Sequence, residues 1–167
     1  RGDLPPECVV VARPHPKYGI QGIHAKKPEG RHLLIDEPAK YLGESVETLE
    51  MEKSHMDHLA NLLYHADVVV TGASTITIDA AVLDRPVINV VFDGKHTLPE
   101  HQSIRKNYYR FTHYIVLVKT KGMRLVFSEE ELIEWIKKYL DNPSIDREER
   151  KHIVNNFVGF TDGRSVE

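Results

Sequence analysis

The sequence predicts an α/β domain with a mostly parallel sheet in three layers, and three observations carry that prediction. Apolar runs of strand length recur at Cys8 to Ala12, Asp67 to Thr71 and Val87 to Phe92. Segments with helical spacing lie between and after them. Adjacent buried parallel strands need crossovers, and strands alternating with helices give a layered domain. At 167 residues the chain matches one domain of roughly 150 residues, so residues 1–167 are read as a single unit.

The elements follow in order. CVVVA at 8–12 is a buried strand, closed by Arg13-Pro14-His15-Pro16, because prolines two apart cannot continue a central strand. Residues 17–30 hold Gly19, Gly22, Pro28 and Gly30 without periodicity and read as a loop. RHLLID at 31–36 is the next strand, and Glu37 to Glu50, with Pro38 and Gly43, reads as irregular with one turn of helix. From Ser54 to about His65, Met56, Leu59, Leu62 and Leu63 share a helical face, with Ser54 as N-cap. DVVVT at 67–71 is a strand buried on both faces, as parallel strands are, and Gly72 ends it.

Ser74 to Asp84 is ambiguous locally, since Thr75 to Ile78 alternates while Ile76, Ala80 and Leu83 suit a helix. The strand VINVVF at 87–92 requires a crossover, so the segment is assigned as helix. Asp93 to Arg110 reads as loop, and YIVLV at 114–118 as strand. Ser128 with Glu131, and Asp146 with Glu149, each form a capping-box pattern opening a helix. Asn142-Pro143 separates the two helices, and the second ends by Gly159.

Composition excludes several classes. Hydrophobic residues at 41% and charged residues at 28% are those of a folded soluble protein. Apolar runs of about five residues fall far short of the ~18 that a membrane helix needs. Lys+Arg 22 against Asp+Glu 25 leaves −3, which gives nucleic-acid binding through phosphate neutralisation no support. The single Cys8 excludes an internal disulfide and fits a reducing, cytoplasmic compartment. The chain starts at Arg1 without a leader, as expected of a piece of a longer protein.

In an open parallel sheet the ligand crevice lies beyond the carboxyl ends of the strands, where Arg13-Pro14-His15, Thr71 to Thr75 and Asp93-Gly94 are expected. Strand, then Gly72-Ala73-Ser74-Thr75, then helix suits phosphate: amides at a helix start, small residues for close approach, and two hydroxyls. A helix dipole contributes only ~0.3–1 kcal/mol to an exposed anion, so a cationic neighbour such as Arg13 or His15 is needed. The turn lacks both the lysine of a Walker A loop and the glycines of GxGxxG, which removes support for triphosphate hydrolysis and NAD chemistry. Asp79, further along the helix, could accept ribose hydroxyls. His55 with His58, and His96 with His101, lack a third and fourth ligand at recognisable spacing, so no metal site is expected. Arg105, Lys106, Tyr108, Tyr109 and Arg110 form a small basic-aromatic patch suited to an anionic acceptor, a lipid carrier or the inner membrane face.

RPHP at 13–16, HLANLLYHADVVVTGASTITIDAAVLDRPVI at 58–88 and FTDGRSVE at 160–167 occur in an order that resembles the C-terminal, donor-binding domain of GT-B-fold glycosyltransferases. Within that fold the chain is most similar to the CDP-glycerol glycerophosphotransferases of teichoic-acid synthesis. Asp57, Leu62, Leu63, Ala66 and Asp67 match that family's helix, and Asp162, Gly163 and Ser165 match its late D-G-x-x-S. Gly72-Ala73-Ser74-Thr75 departs from the usual D-Y-S-S, and Asp79 stands where many glycosyltransferases place a ribose-binding Glu.

The resemblance implies a Rossmann-like half of a GT-B fold that takes a CDP-, UDP- or CMP-linked donor as substrate and needs no cofactor or bound metal. Arg13, His15, Gly72, Ala73, Ser74 and Thr75 would hold the donor phosphates, with His15 also the catalytic proton or hydrogen-bond donor, and Asp79 would meet the ribose. The acceptor side would come from an N-terminal domain of the same parent protein, so binding rather than turnover is expected of this part alone. A peripheral membrane position and a lipid-linked acceptor fit the basic patch. The competing readings are a half resembling UDP-GlcNAc 2-epimerase and a non-catalytic α/β nucleotide-binding or interaction module.

Overall fold

A computed structural model describes residues 3–14, 32–36, 40–41, 49–50, 53–94, 98–107 and 112–162. The chain divides into two units, Arg1–Leu62 and Leu63–Glu167, each taken by itself below.

In the first unit, β1 (Val10–Ala12) and β2 (Leu33–Ile35) pair in parallel, with Val10 opposite Leu33 and Ala12 opposite Ile35. The pairing extends past the strands: the Asp36 amide donates to the Ala12 carbonyl at 2.9 Å. Both strands lie where the apolar runs predict them, but Val9, Val10, Val11 and Leu34 are exposed. Among the described residues β1 has one hydrogen-bonded neighbour, so its apolar run marks a strand without burying it. Within the segment read as irregular, the described residues β3 (Lys40–Tyr41) and β4 (Leu49–Glu50) form a short antiparallel bridge. Two-residue strands need no apolar run, so periodicity gives no sign of them. The helix predicted from Ser54 is α1 (Lys53–His65), which places Ser54 inside its first turn rather than at the cap.

The second unit is built on a parallel sheet of order β5-β6-β7: Val69–Thr71, Val87–Val90 and Arg124–Val126. The predicted crossover helix is present as α2 (Ile76–Val82). β6 is central, and Val87, Ile88 and Asn89 are fully buried. Among the described residues β5 is an edge strand, and the expectation that its run is buried on both faces fails: Val70 is 45% exposed. Burial on both faces requires neighbours on both edges as well as an apolar sequence.

Alternation along β6 sorts the layers. Ile88 and Val90 face a cluster with Val126, Leu132, Trp135, Ile136 and Tyr139, the inner face of α5 (Glu129–Asp141). Asn89 faces the other way, bonded to Thr77 of α2 and to Tyr114 of α4 (Thr112–Lys119). Helices therefore cover both faces of the sheet, and the unit is a Rossmann-like α/β sandwich. Each fully buried Val or Ile contributes roughly 1.5–3 kcal/mol relative to exposure.

Two element assignments in this unit are corrected. Tyr114 to Val118 is not a strand but most of α4: Tyr114 and Leu117, three apart, are buried, whereas Val116 between them is 55% exposed. A short apolar run reads equally as strand or buried helix, and here packing chooses the helix. The strand is instead β7, whose Arg-Leu-Val carries no long apolar run. The polar stretch after Asp93, read as loop, contains a 3₁₀ turn (Glu100–Gln102) and α3 (Ile104–Asn107).

The final helices show one cap that forms and one that does not. Ser128 Oγ accepts the Glu131 amide at 3.2 Å, and Glu131 Oε2 accepts the Phe127 amide at 2.8 Å, closing the capping box one residue early. Asp146 precedes α6 (Arg147–Phe157) but is left-handed at φ 61, and its carboxylate accepts from Arg124 and, at 2.7 Å, from the Tyr139 hydroxyl. Burial, then the Asp146 charge, push the Tyr139 hydroxyl well above its ordinary pKa. α6 is tied to the end of α2 by buried Arg150, which donates to Asp84 at 2.9 and 3.0 Å and to the carbonyls of Ile145 and Pro143.

Candidate functional site

The corner Gly72-Ala73-Ser74-Thr75 follows β5 at its carboxyl end and leads directly into α2. The helical path begins here, since the Ser74 and Thr75 carbonyls accept the Thr77 and Ile78 amides at 3.1 and 2.8 Å. Ser74 Oγ takes only a long bond from the Ile76 amide, 3.4 Å, and Thr75 makes no side-chain cap. A Cβ placed on Gly72 would meet nothing within 4 Å, so the glycine here leaves room.

That room belongs to a hollow of about 220 Å³. Gly72 and Ala73 form one wall, and His101, Gln102, Ser103 and Asn107 form the other. The second wall is organised by Asp93, just past β6. Its Oδ2 accepts the Ser103 hydroxyl at 2.6 Å, and its Oδ1 accepts the amides of Ile104 at 2.6 Å and Arg105 at 3.3 Å. Ser103 Oγ in turn accepts the Lys106 amide at 3.0 Å, and Asn107 Nδ2 donates to the Ser103 carbonyl at 2.9 Å.

Beneath the corner, Thr77, Asn89 and Tyr114 form a buried polar set. The Thr77 and Tyr114 hydroxyls lie 2.8 Å apart, Tyr114 donates to Asn89 Oδ1 at 2.7 Å, and Asn89 Nδ2 donates to Thr77 Oγ1 at 3.4 Å. Buried polar groups are tolerated when bonded to one another, and such a set fixes one arrangement of α2 and α4 on the sheet.

The predicted residues are distributed as follows. Gly72 and Ala73 line the hollow; Ser74 and Thr75 share their turn but do not line it. Asp79 lies in the first turn of α2, where partial burial raises its carboxyl above the ordinary range. α2 has only 7 residues. Arg13 belongs to the first unit, where its guanidinium pairs with Asp36, whose Oδ1 lies 2.8 Å from His58 Nε2. Burial pushes the Asp36 carboxyl up, but Arg13 and His58 outweigh it and hold the group below its ordinary pKa. His15, the loop 17–30, His96, Tyr108, Tyr109, Arg110, Gly163 and Ser165 lie outside the described residues.

Sequence reasoning missed the wall from Glu100 to Asn107. Pro99 before an acidic residue and Ser103 before four helical residues were the available signals, both hidden in a polar stretch. Among the described residues, no group of three or more His, Cys, Asp or Glu could hold a metal ion. No helix among them is long and apolar enough to cross a membrane.

Comparison with known proteins assigns the chain to a family. No curated protein and no solved structure matches the chain significantly. The family model for CDP-glycerol:poly(glycerophosphate) glycerophosphotransferase matches residues 2–167. Spanning nearly the whole chain, that match agrees with the resemblance carried by the RPHP loop, the A-D-V-V-V-T strand and the late D-G-x-x-S. The chain therefore belongs to the CDP-glycerol:poly(glycerophosphate) glycerophosphotransferase family, transferases of teichoic-acid synthesis.

Proposed function

We propose that this chain is the donor-binding part of such a transferase, taking a nucleotide-activated donor, CDP-glycerol first among the candidates. The observation that carries the reading is the Gly72–Thr75 corner: small residues at the carboxyl end of a parallel strand, entering a helix and opening on a hollow. The amides and hydroxyls of the corner bind the pyrophosphate and Asp79 accepts the ribose hydroxyls, while the family resemblance gives His15 of the RPHP loop a part in the same step.

The chemistry asks for such a site. Attack by an acceptor hydroxyl on the distal phosphorus of a CDP-linked donor breaks the pyrophosphate bond and releases CMP. Negative charge builds on the leaving phosphate, so fixed donors aimed there lower the barrier. A protonated His15 gives that oxygen a charge-assisted hydrogen bond or a proton. The acceptor side is assigned to another part of the parent protein. The exposed Ile104, Arg105 and Lys106 on α3 suit an anionic, lipid-linked acceptor at the cytoplasmic membrane face.

His15→Ala in the intact protein tests the reading. Turnover is expected to fall by two orders of magnitude or more while the melting temperature stays within about 2 °C, an effect of the size seen on removing a general acid. Equal loss of activity and stability overturns the role of His15.

A further inference from the structure

The residue that shapes the hollow is not among those the sequence singles out. We propose that Asp93 is a positioning residue for the donor, its carboxylate fixing the wall that faces Gly72 and Ala73 and so setting the width of the hollow. The inference rests on the donor reading above. Asp93 itself is not among the residues lining the hollow, so it acts through the wall it holds.

The geometry is specific. One carboxylate takes three donors from consecutive residues, Ser103, Ile104 and Arg105. These bonds, the Ser103 hydroxyl first, hold Asp93 below its ordinary pKa, so it is an anion throughout the neutral range. α3 has 4 residues, none of them buried, and neither length nor packing would maintain it. Ser103, by contrast, is buried, and its hydroxyl is shared between Asp93 and the Lys106 amide. Removing the carboxylate leaves the turn from Glu100 to Asn107 without its fixed point. The opposite wall needs no such help, because the corner is built on β5 and α2.

The test uses the full-length protein titrated calorimetrically with CDP-glycerol, comparing Asp93→Ala, Asp93→Asn and Gly72→Leu with the parent. Gly72→Leu fills the hollow from a position where an added Cβ meets nothing, so it reports whether the donor enters there at all. The expected result is a Kd raised five- to twentyfold by Asp93→Ala and less by Asp93→Asn, which keeps an acceptor for the Ile104 amide. Gly72→Leu should raise it further, and the melting temperature of both Asp93 variants should stay within about 3 °C of the parent. Hydrogen exchange at the Ile104 and Arg105 amides should quicken in Asp93→Ala. If Gly72→Leu weakens binding and Asp93→Ala leaves it within twofold, the positioning role is overturned and the donor reading stands. If neither variant changes the Kd, both are overturned.

Discussion

The Tyr114 hydroxyl donates to Asn89 Oδ1 at 2.7 Å, joining the outer helix α4 to the central strand at a fully buried point. Thr77 completes the set from α2, two residues past the corner proposed to bind phosphate. An amide in the middle of a buried strand would be costly alone; bonded on both sides, it holds the two helices in register.

Tyr114→Phe therefore removes one member of the set, and with it the bonds that its hydroxyl makes to Asn89 Oδ1 and Thr77 Oγ1. The expected loss is about 1–3 kcal/mol, the usual cost of a buried polar group deprived of its bond. Urea unfolding at neutral pH measures it, and a midpoint unchanged from the parent would show that the set is dispensable.

The glycines divide sharply. A Cβ on Gly122 would stand 2.6 Å from Ile153 Cδ1 and 2.7 Å from the Glu149 carbonyl oxygen, so Gly122→Ala forces α6 away from residue 122. Overpacking of this kind costs about 1–3 kcal/mol. Gly72→Ala meets no atoms and should leave the melting temperature unchanged. Thermal melts of the pair check the contrast.

Ser128→Ala removes the hydroxyl that accepts the Glu131 amide and should cost about 1 kcal/mol. Asp146→Ala does not act as a cap deletion. It strips Arg124 and Tyr139 of their shared partner, so a double cycle with Tyr139→Phe should show coupling, whereas one with Ser128→Ala should be additive.

Asp36 and Asp79 should respond to pH with opposite sign. Asp36 titrates below its ordinary value of 3.8 in the folded state, so its stabilisation is complete above that value and is lost as pH falls through the lower, folded one. Asp79 titrates above 3.8, so its contribution is full below that value and is lost as pH rises through the higher, folded one. Asp36→Asn should destabilise at neutral pH and converge with the parent in acid, while Asp79→Asn should stabilise at neutral pH. Unfolding free energies from pH 3 to 7 decide both.

These contrasts mark how much was legible in the chain. Ser128 with Glu131 is legible because a cap is local, requiring only residues three apart. The same pattern at Asp146 and Glu149 marks the helix but not its cap, because a cation from β7 and a phenol from α5 take the carboxylate, and neither is visible nearby in sequence. The helix at Ile76–Val82 is legible only through topology, since Thr75 to Ile78 alternates like a strand. At Tyr114 to Val118 the apolar run suits a strand and a buried helix alike, and only packing selects the helix. In the site, the corner is legible as strand, small residues, helix. Its facing wall is not, because Asp93 reaches Ser103 across 10 positions of polar chain.

The most direct measurement is an amide NMR titration of the protein with CDP, UDP and CMP. Binding of the donor phosphates at the corner predicts saturable shifts at Gly72, Ala73, Ser74 and Thr75, with smaller ones at Asp79 and His101. Shifts confined to other surfaces, or none at millimolar nucleotide, would contradict the account.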